Sequence, residues 1–272
     1  MAERHHEESK VKMSRRIASV IHRYRIVFLI VGAAVILFPI GYYVVDAIRK
    51  SQNEAAAVQN NKLNEKWDAY QGEQDEAKKK VLEGEVLTMI EESAAAFPDK
   101  YAGIQARFMR ADMNEGKMAE ADAAKKKELY LAVLKDLLTI ADTAEGNILV
   151  PQALMRAAAD IQNEDQKLSD DSMASLPEII ALIPGKVLEG AVPADAQDTA
   201  LIIYRYVTTR YAESLYVPEA LITIGFILEK QSKPKEAGEI YSRLESEFAT
   251  SNWTKIAVNR KIDLENKGVI GN

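Results

Sequence analysis

The residues able to do chemistry in this chain are few, and their distribution is itself informative. Acidic pairs stand at Glu91-Glu92 and Asp170-Asp171. Adjacent carboxylates offer general acid–base work or a seat for a cation, and the plainer reading is a solvated helix face and a polar loop. Lysine runs stand at 78–80 and 125–127. They read as solvated turns around helix starts, with lipid-headgroup contact as the sharper alternative for the first run. There is no cysteine, and the three histidines, His5, His6 and His22, all lie in the first 22 residues. Everything beyond them therefore lacks Ser-His-Asp and Cys-His nucleophilic sites and the usual His/Cys zinc sites. No glycine-rich phosphate loop, zincin helix, nucleophile elbow or EF-hand loop is present. The sequence points away from an enzyme and implies no cofactor and no metal.

Charge bounds the partners. Residues 1–25 hold seven Lys/Arg against three Glu, a balance of +4, which leaves −10 for the rest of a chain whose total is −6. An acidic body is a poor partner for phosphate backbones, so nucleic acid is not expected.

Ile26 to Val45 runs twenty residues without a charge. As a helix it rises about 30 Å, the thickness of a bilayer core. Pro39 and Gly41 are tolerated in such a span, and Tyr42 and Tyr43 suit an interface. Arg15, Arg16, Arg23 and Arg25 crowd its N-terminal side, so the positive-inside bias places residues 1–25 in the cytoplasm and the remainder outside it. The run is longer than a signal-peptide core and no small-residue cleavage pattern follows Val45, which favours an uncleaved anchor. The expected localisation is a bacterial inner membrane, single-pass, with the C-terminal domain periplasmic. The expected organisation is a basic tail over 1–25, a transmembrane helix over 26–45, a polar helical stalk over 46–74 and a repeat domain over 75–272.

The repeat is visible directly. Ala200, Tyr204, Tyr211, Ser214 and Ala220 recur 37 residues later as Ala237, Tyr241, Phe248, Ser251 and Ala257. Val150-Pro151-Gln152-Ala153-Leu154 returns 67 residues later as Val217-Pro218-Glu219-Ala220-Leu221. A period in the thirties marks a helical array. The longer interval places an insertion of about 30 residues at 164–194, rich in Pro and Gly and unfit for one long helix. No segment alternates as a strand would, so the fold class expected is all-α, an α-solenoid behind one membrane helix. Helices are expected from about Asp75 to Ala96, over 101–115 and 119–141, over 150–163 and 195–211, and over 252–266 as a terminal cap.

Leu221, Ile224, Gly225, Leu228, Ala237, Tyr241 and Leu244 resemble a tetratricopeptide repeat. That motif has a large-large-small-large pattern on its first helix and small-aromatic-small on its second; Leu244 is larger than the pattern, and the proline that often ends the second helix is Ala249 here. The layout of basic tail, single span and exported repeat domain is similar to the YfgM-like family, ancillary subunits of the Sec translocon that pass exported clients to periplasmic chaperones. The resemblance implies a membrane-anchored interaction scaffold whose partners are other envelope proteins or exported polypeptides. The alternative within that class is a structural subunit of a large envelope machine, such as a flagellar-motor or outer-membrane assembly complex. In such arrays the first helix of each pair faces a shared groove. The phasing puts Gln105, Phe108, Gln152, Met155, Ile222 and Phe226 on that side, with Glu219 and Glu229 at its edge. Aromatic and Met side chains there suit binding of helices or extended peptides. Phe108 and Phe226 are equally compatible with the core between helices.

Overall fold

The computed structural model describes residues 24–164, 168 and 173–269, although the side chains of seven residues between 25 and 36 are not among those described. All but two residues of the basic tail, and Asp170-Asp171, lie outside the described residues. The described elements are all helical: α1 (Arg25–Gly72), α2 (Glu76–Ala96), α3 (Tyr101–Met118), α4 (Ala123–Thr143), α5 (Val150–Gln162), α6 (Leu176–Ile180), α7 (Gly185–Leu188), α8 (Ala196–Arg210), α9 (Val217–Lys230), α10 (Pro234–Glu247) and α11 (Asn252–Asn266). The fold class is all-α.

The chain divides into two compact units, residues 1–55 and 56–272, with the boundary inside α1. In the first unit the described apolar side chains are exposed on every side, from Ile26 and Val35 to Phe38, Tyr42 and Tyr43. Among the described residues no helix is long and apolar enough to cross a membrane; the uninterrupted run of twenty uncharged residues is a property of the sequence.

The second unit corrects the expectation of a polar stalk over 46–74. From Ala56 onward α1 is a packing helix: Ala56 and Leu63 are buried, and Leu63 shares a core with Val86 and Ile90 of α2 and Ala106, Met109 and Met113 of α3. Trp67 and Tyr70 lean on the same cluster. One aliphatic anchor in a polar helix suffices when flanking aromatics cover it, which is why the pattern reads as solvated.

Beyond α1 each helix packs on the next: α2 on α3, α3 on α4, α4 on α5, α8 on both α5 and α9, α9 on α10, and α10 on α11. Local chemistry fixes the ends. Asp75 accepts from the amides of Ala77 and Lys78 at the start of α2, Asp122 from Lys125 at α4, and Asp195 from Asp198 at α8. These are helix N-caps. α5 and α9 start alike, each with a buried Val followed by Pro in the first turn, where a missing amide costs nothing.

Two glycines sit where helices or turns approach too closely for a side chain. A Cβ on Gly225 of α9 would meet Tyr241 Cε1 of α10 at 2.2 Å, and one on Gly103 of α3 would meet the Phe97 carbonyl oxygen at 2.1 Å. Asp136 of α4, 2% exposed, is clamped from α3 by both nitrogens of the Arg110 fork and by Arg107 at 3.5 Å.

The insertion is a plug. Leu168, Ala174, Ile179, Ile183 and Val187 join the main core, with α6 against α4 and α7 against α8. Its helix α6 opens with a capping box: Ser175 N donates to Glu178 Oε2 at 2.7 Å, and Lys127 reaches the same carboxylate at 2.8 Å. Lys127 first, then the Ser175 hydroxyl and amide, hold the Glu178 carboxyl down at about 2. A carboxyl with a depressed folded pKa contributes its ordering above the usual glutamate range and loses it as pH falls toward the folded value. Amide protection at 175–181, measured against the intrinsic exchange rate at each pH, should therefore be high at neutral pH and fall between about pH 4 and pH 2. Equal protection at both ends of that window would mean the cap does no work.

Candidate interaction surfaces

The structure separates the eight residues expected in the groove. Phe108, Met155 and Ile222 are core, each no more than 8% exposed and part of the main cluster. Helix α9 shows why: α8, α10 and α11 all contact it, so little of its circumference is left open. The accessible strip of α9 carries Glu219, Thr223 and Phe226, and that of α5 carries Gln152 and Arg156. Met155 and Ile222 each precede a strip residue by one position, and one position on a helix turns a side chain by about 100°. Gln105, Gln152, Glu219 and Phe226 keep an accessible face, Phe226 while packing against the core.

Glu229 is also corrected. It is the acceptor of a three-helix lock, taking the Tyr241 hydroxyl of α10 at 2.5 Å and both fork nitrogens of Arg260 of α11. Burial pushes this carboxyl up, but the hydrogen bonds from Arg260 and Tyr241 outweigh it and leave it lowered. It fastens the last helix, with both its oxygens already engaged inside the fold.

Arg156 of α5 reaches Asp112 at 2.6 Å and Glu115 at 3.0 Å on α3, so the open strips of α3 and α5 lie side by side. From Asp112 the surface deepens into a groove of about 840 Å³ between α1, α2 and α3. Its walls are the Trp67–Tyr70 pair, with ring centroids 5.8 Å apart, together with Leu87 and Met113. Lys79 Nζ stands 5.7 Å from the Tyr70 ring centroid, a cation–π distance, and Lys117 pairs with Glu83 at 2.5 Å across the groove.

Two glycines, Gly84 of α2 and Gly116 of α3, also line the groove, and a Cβ on either would meet nothing within 4 Å. No helix contact requires them, and a glycine inside a helix costs about 0.5–1 kcal/mol relative to alanine. Their effect is to keep the floor low. Gly84→Ala should accordingly raise stability by about 0.5–1 kcal/mol in chemical denaturation; a loss of stability would show that the position is under steric constraint.

This groove went unread in the sequence because its walls come from a helix that looks like a stalk. Two signals were present: Trp67 and Tyr70 at a spacing that shares one helix face, and glycines inside two otherwise helical segments. Among the described residues no group of three or more His, Cys, Asp or Glu is placed to hold a cation. No family model, no curated protein and no solved structure matches this chain.

Proposed function

We propose that the protein is a membrane-anchored, extracytoplasmic interaction scaffold built on tetratricopeptide-like helix pairs. The groove beside Trp67 and Tyr70 carries this reading. It is open and amphipathic, and its floor is kept low by two helical glycines that no internal contact demands. A surface with aromatic walls and charged rims suits side chains from another polypeptide. The uncharged run 26–45 supplies the anchor, and its exposed apolar side chains on all described faces fit lipid. Tethering raises the local concentration of the groove for other envelope proteins and for chains leaving the membrane. The layout makes an adaptor between the Sec translocon and periplasmic chaperones the specific form of this role.

Capture tests it. A photo-crosslinking residue at Glu120, exposed beside the groove, in the full chain activated in intact membranes, should yield adducts with exported chains, translocon subunits or periplasmic chaperones. Gly84→Trp places an indole in the groove and should abolish them while the melting temperature shows that the variant stays folded. Adducts that survive the filled groove would move the binding surface elsewhere.

A further inference from the structure

The helices of the second unit alternate in direction, so the starts of α3, α5, α9 and α11 gather at one end. Contacts fix this. Thr143 donates to the Pro98 carbonyl at 3.1 Å, joining the turns before α3 and α5. Arg210 reaches Glu145 at 2.8 Å, joining the turns before α5 and α9. Gln197 donates to the Gln162 carbonyl at 3.2 Å at the opposite end. The part of α1 in this unit runs the same way as α3: Lys66 pairs with Glu85 while Tyr70 lies by Lys79, so α1 opposes α2, and Lys117 pairs with Glu83, so α2 opposes α3. The chain thus enters the unit, at Ala56, from the end where α3, α5, α9 and α11 begin.

That end carries two highly exposed large apolar side chains side by side, whereas Val192 stands at the opposite end. Ile148 is 85% exposed and Leu215 80%, at equivalent repeat positions 67 residues apart. They share one shallow depression of about 470 Å³ with Pro151, Tyr211 and Ala212. Tyr101, 55% exposed, and Trp253, 37%, open α3 and α11 at the same end. Aliphatic tips flanked by Tyr and Trp are the composition of a water–lipid boundary.

We infer that this end of the array docks on the lipid surface, with Ile148 and Leu215 seated among the headgroups. The inference rests on the proposed anchor at 26–45, because chain connectivity supplies the occupant. Residues 46–55 are all that separate Val45 from the unit. They span about 15 Å as helix and no more than about 35 Å extended. The end at which the chain arrives therefore stays within about 35 Å of the end of the anchor. Seated this way, the array holds the turns at its other end toward the periplasm.

The chain has no cysteine, so single labels are clean. Full-length protein carrying Ile148→Cys, Leu215→Cys, Val192→Cys or Val35→Cys, each bearing an environment-sensitive dye, is reconstituted into phosphatidylethanolamine–phosphatidylglycerol vesicles. Val192 is 91% exposed and precedes α8 at the opposite end. Dyes at Ile148→Cys and Leu215→Cys should shift to shorter wavelength and lose emission to nitroxides placed at shallow depth in the lipid; the dye at Val192→Cys should do neither. Water-like emission at 148 and 215, or a blue shift without lipid quenching, which marks cover by a second copy, overturns the inference. The Val35→Cys dye separates the two readings. Quenched by deep nitroxides while 148 and 215 stay unquenched, it leaves the anchor standing and the docking refuted; unquenched, it refutes the anchor and the docking with it.

Discussion

Gly225→Leu is expected to destabilise the second unit severely. The first atom of the new side chain would stand 2.2 Å from Tyr241 Cε1 and 2.7 Å from Cζ. The ring cannot step aside, because Tyr241 is fully buried and its hydroxyl is bound to Glu229. Overpacking typically costs about 1–3 kcal/mol. Here the displaced ring also releases the Glu229 lock that holds α11, so a loss of about 3 kcal/mol or more is expected. In a domain of this size that lowers the melting temperature by roughly 6–12 °C. Ala158 of α5, 67 residues before Gly225, is also fully buried, so Ala158→Leu should destabilise as well. Calorimetry on full-length protein in detergent reads both, and an unchanged transition for Gly225→Leu would mean that α9 and α10 do not meet there.

The second large effect is expected at Asp136→Ala. This carboxylate is 2% exposed and accepts from Arg110, with Arg107 beside it. The hydrogen bond that Arg110 donates to Asp136 holds its guanidinium raised despite burial, whereas burial leaves Arg107 lowered despite the same partner. Removing the acid leaves two half-buried cations facing each other. Breaking a buried ion pair by deleting one partner costs about 3–5 kcal/mol, and the partial exposure of both arginines places this site near the lower figure. The exposed pair Lys125–Glu128 at 2.8 Å is the contrast: Lys125→Ala should change stability by less than about 1 kcal/mol. Urea titration of the two variants should separate them clearly. Similar midpoints would show that Asp136 is solvated.

Helical content, several helix ends and one close helix contact were legible in the sequence. Gly225 and Tyr241 occupy the small and aromatic positions of the pattern, and they meet in space. The caps of α2, α8 and α11 follow from Asp75, Asp195 and Ser251 in the chain. The direction of individual side chains was not legible, because a helix turns by about 100° per residue. That separates buried Ile222 from accessible Thr223, and buried Met155 from Arg156. Glu229 looked like a free groove carboxylate because its partner Arg260 lies 31 residues away on a helix expected only to cap the stack. The role of 56–72 was hidden by composition: a polar helix with one buried leucine reads as a stalk until the aromatics beside it are seen to cover a core.

The most direct test of an anchored, exported scaffold is its topology in living membranes. Protease added to intact spheroplasts should digest the chain beyond about residue 50 and leave a short fragment containing the tail and residues 26–45 in the membrane. A C-terminal domain that stays intact until the spheroplasts are lysed would contradict the account.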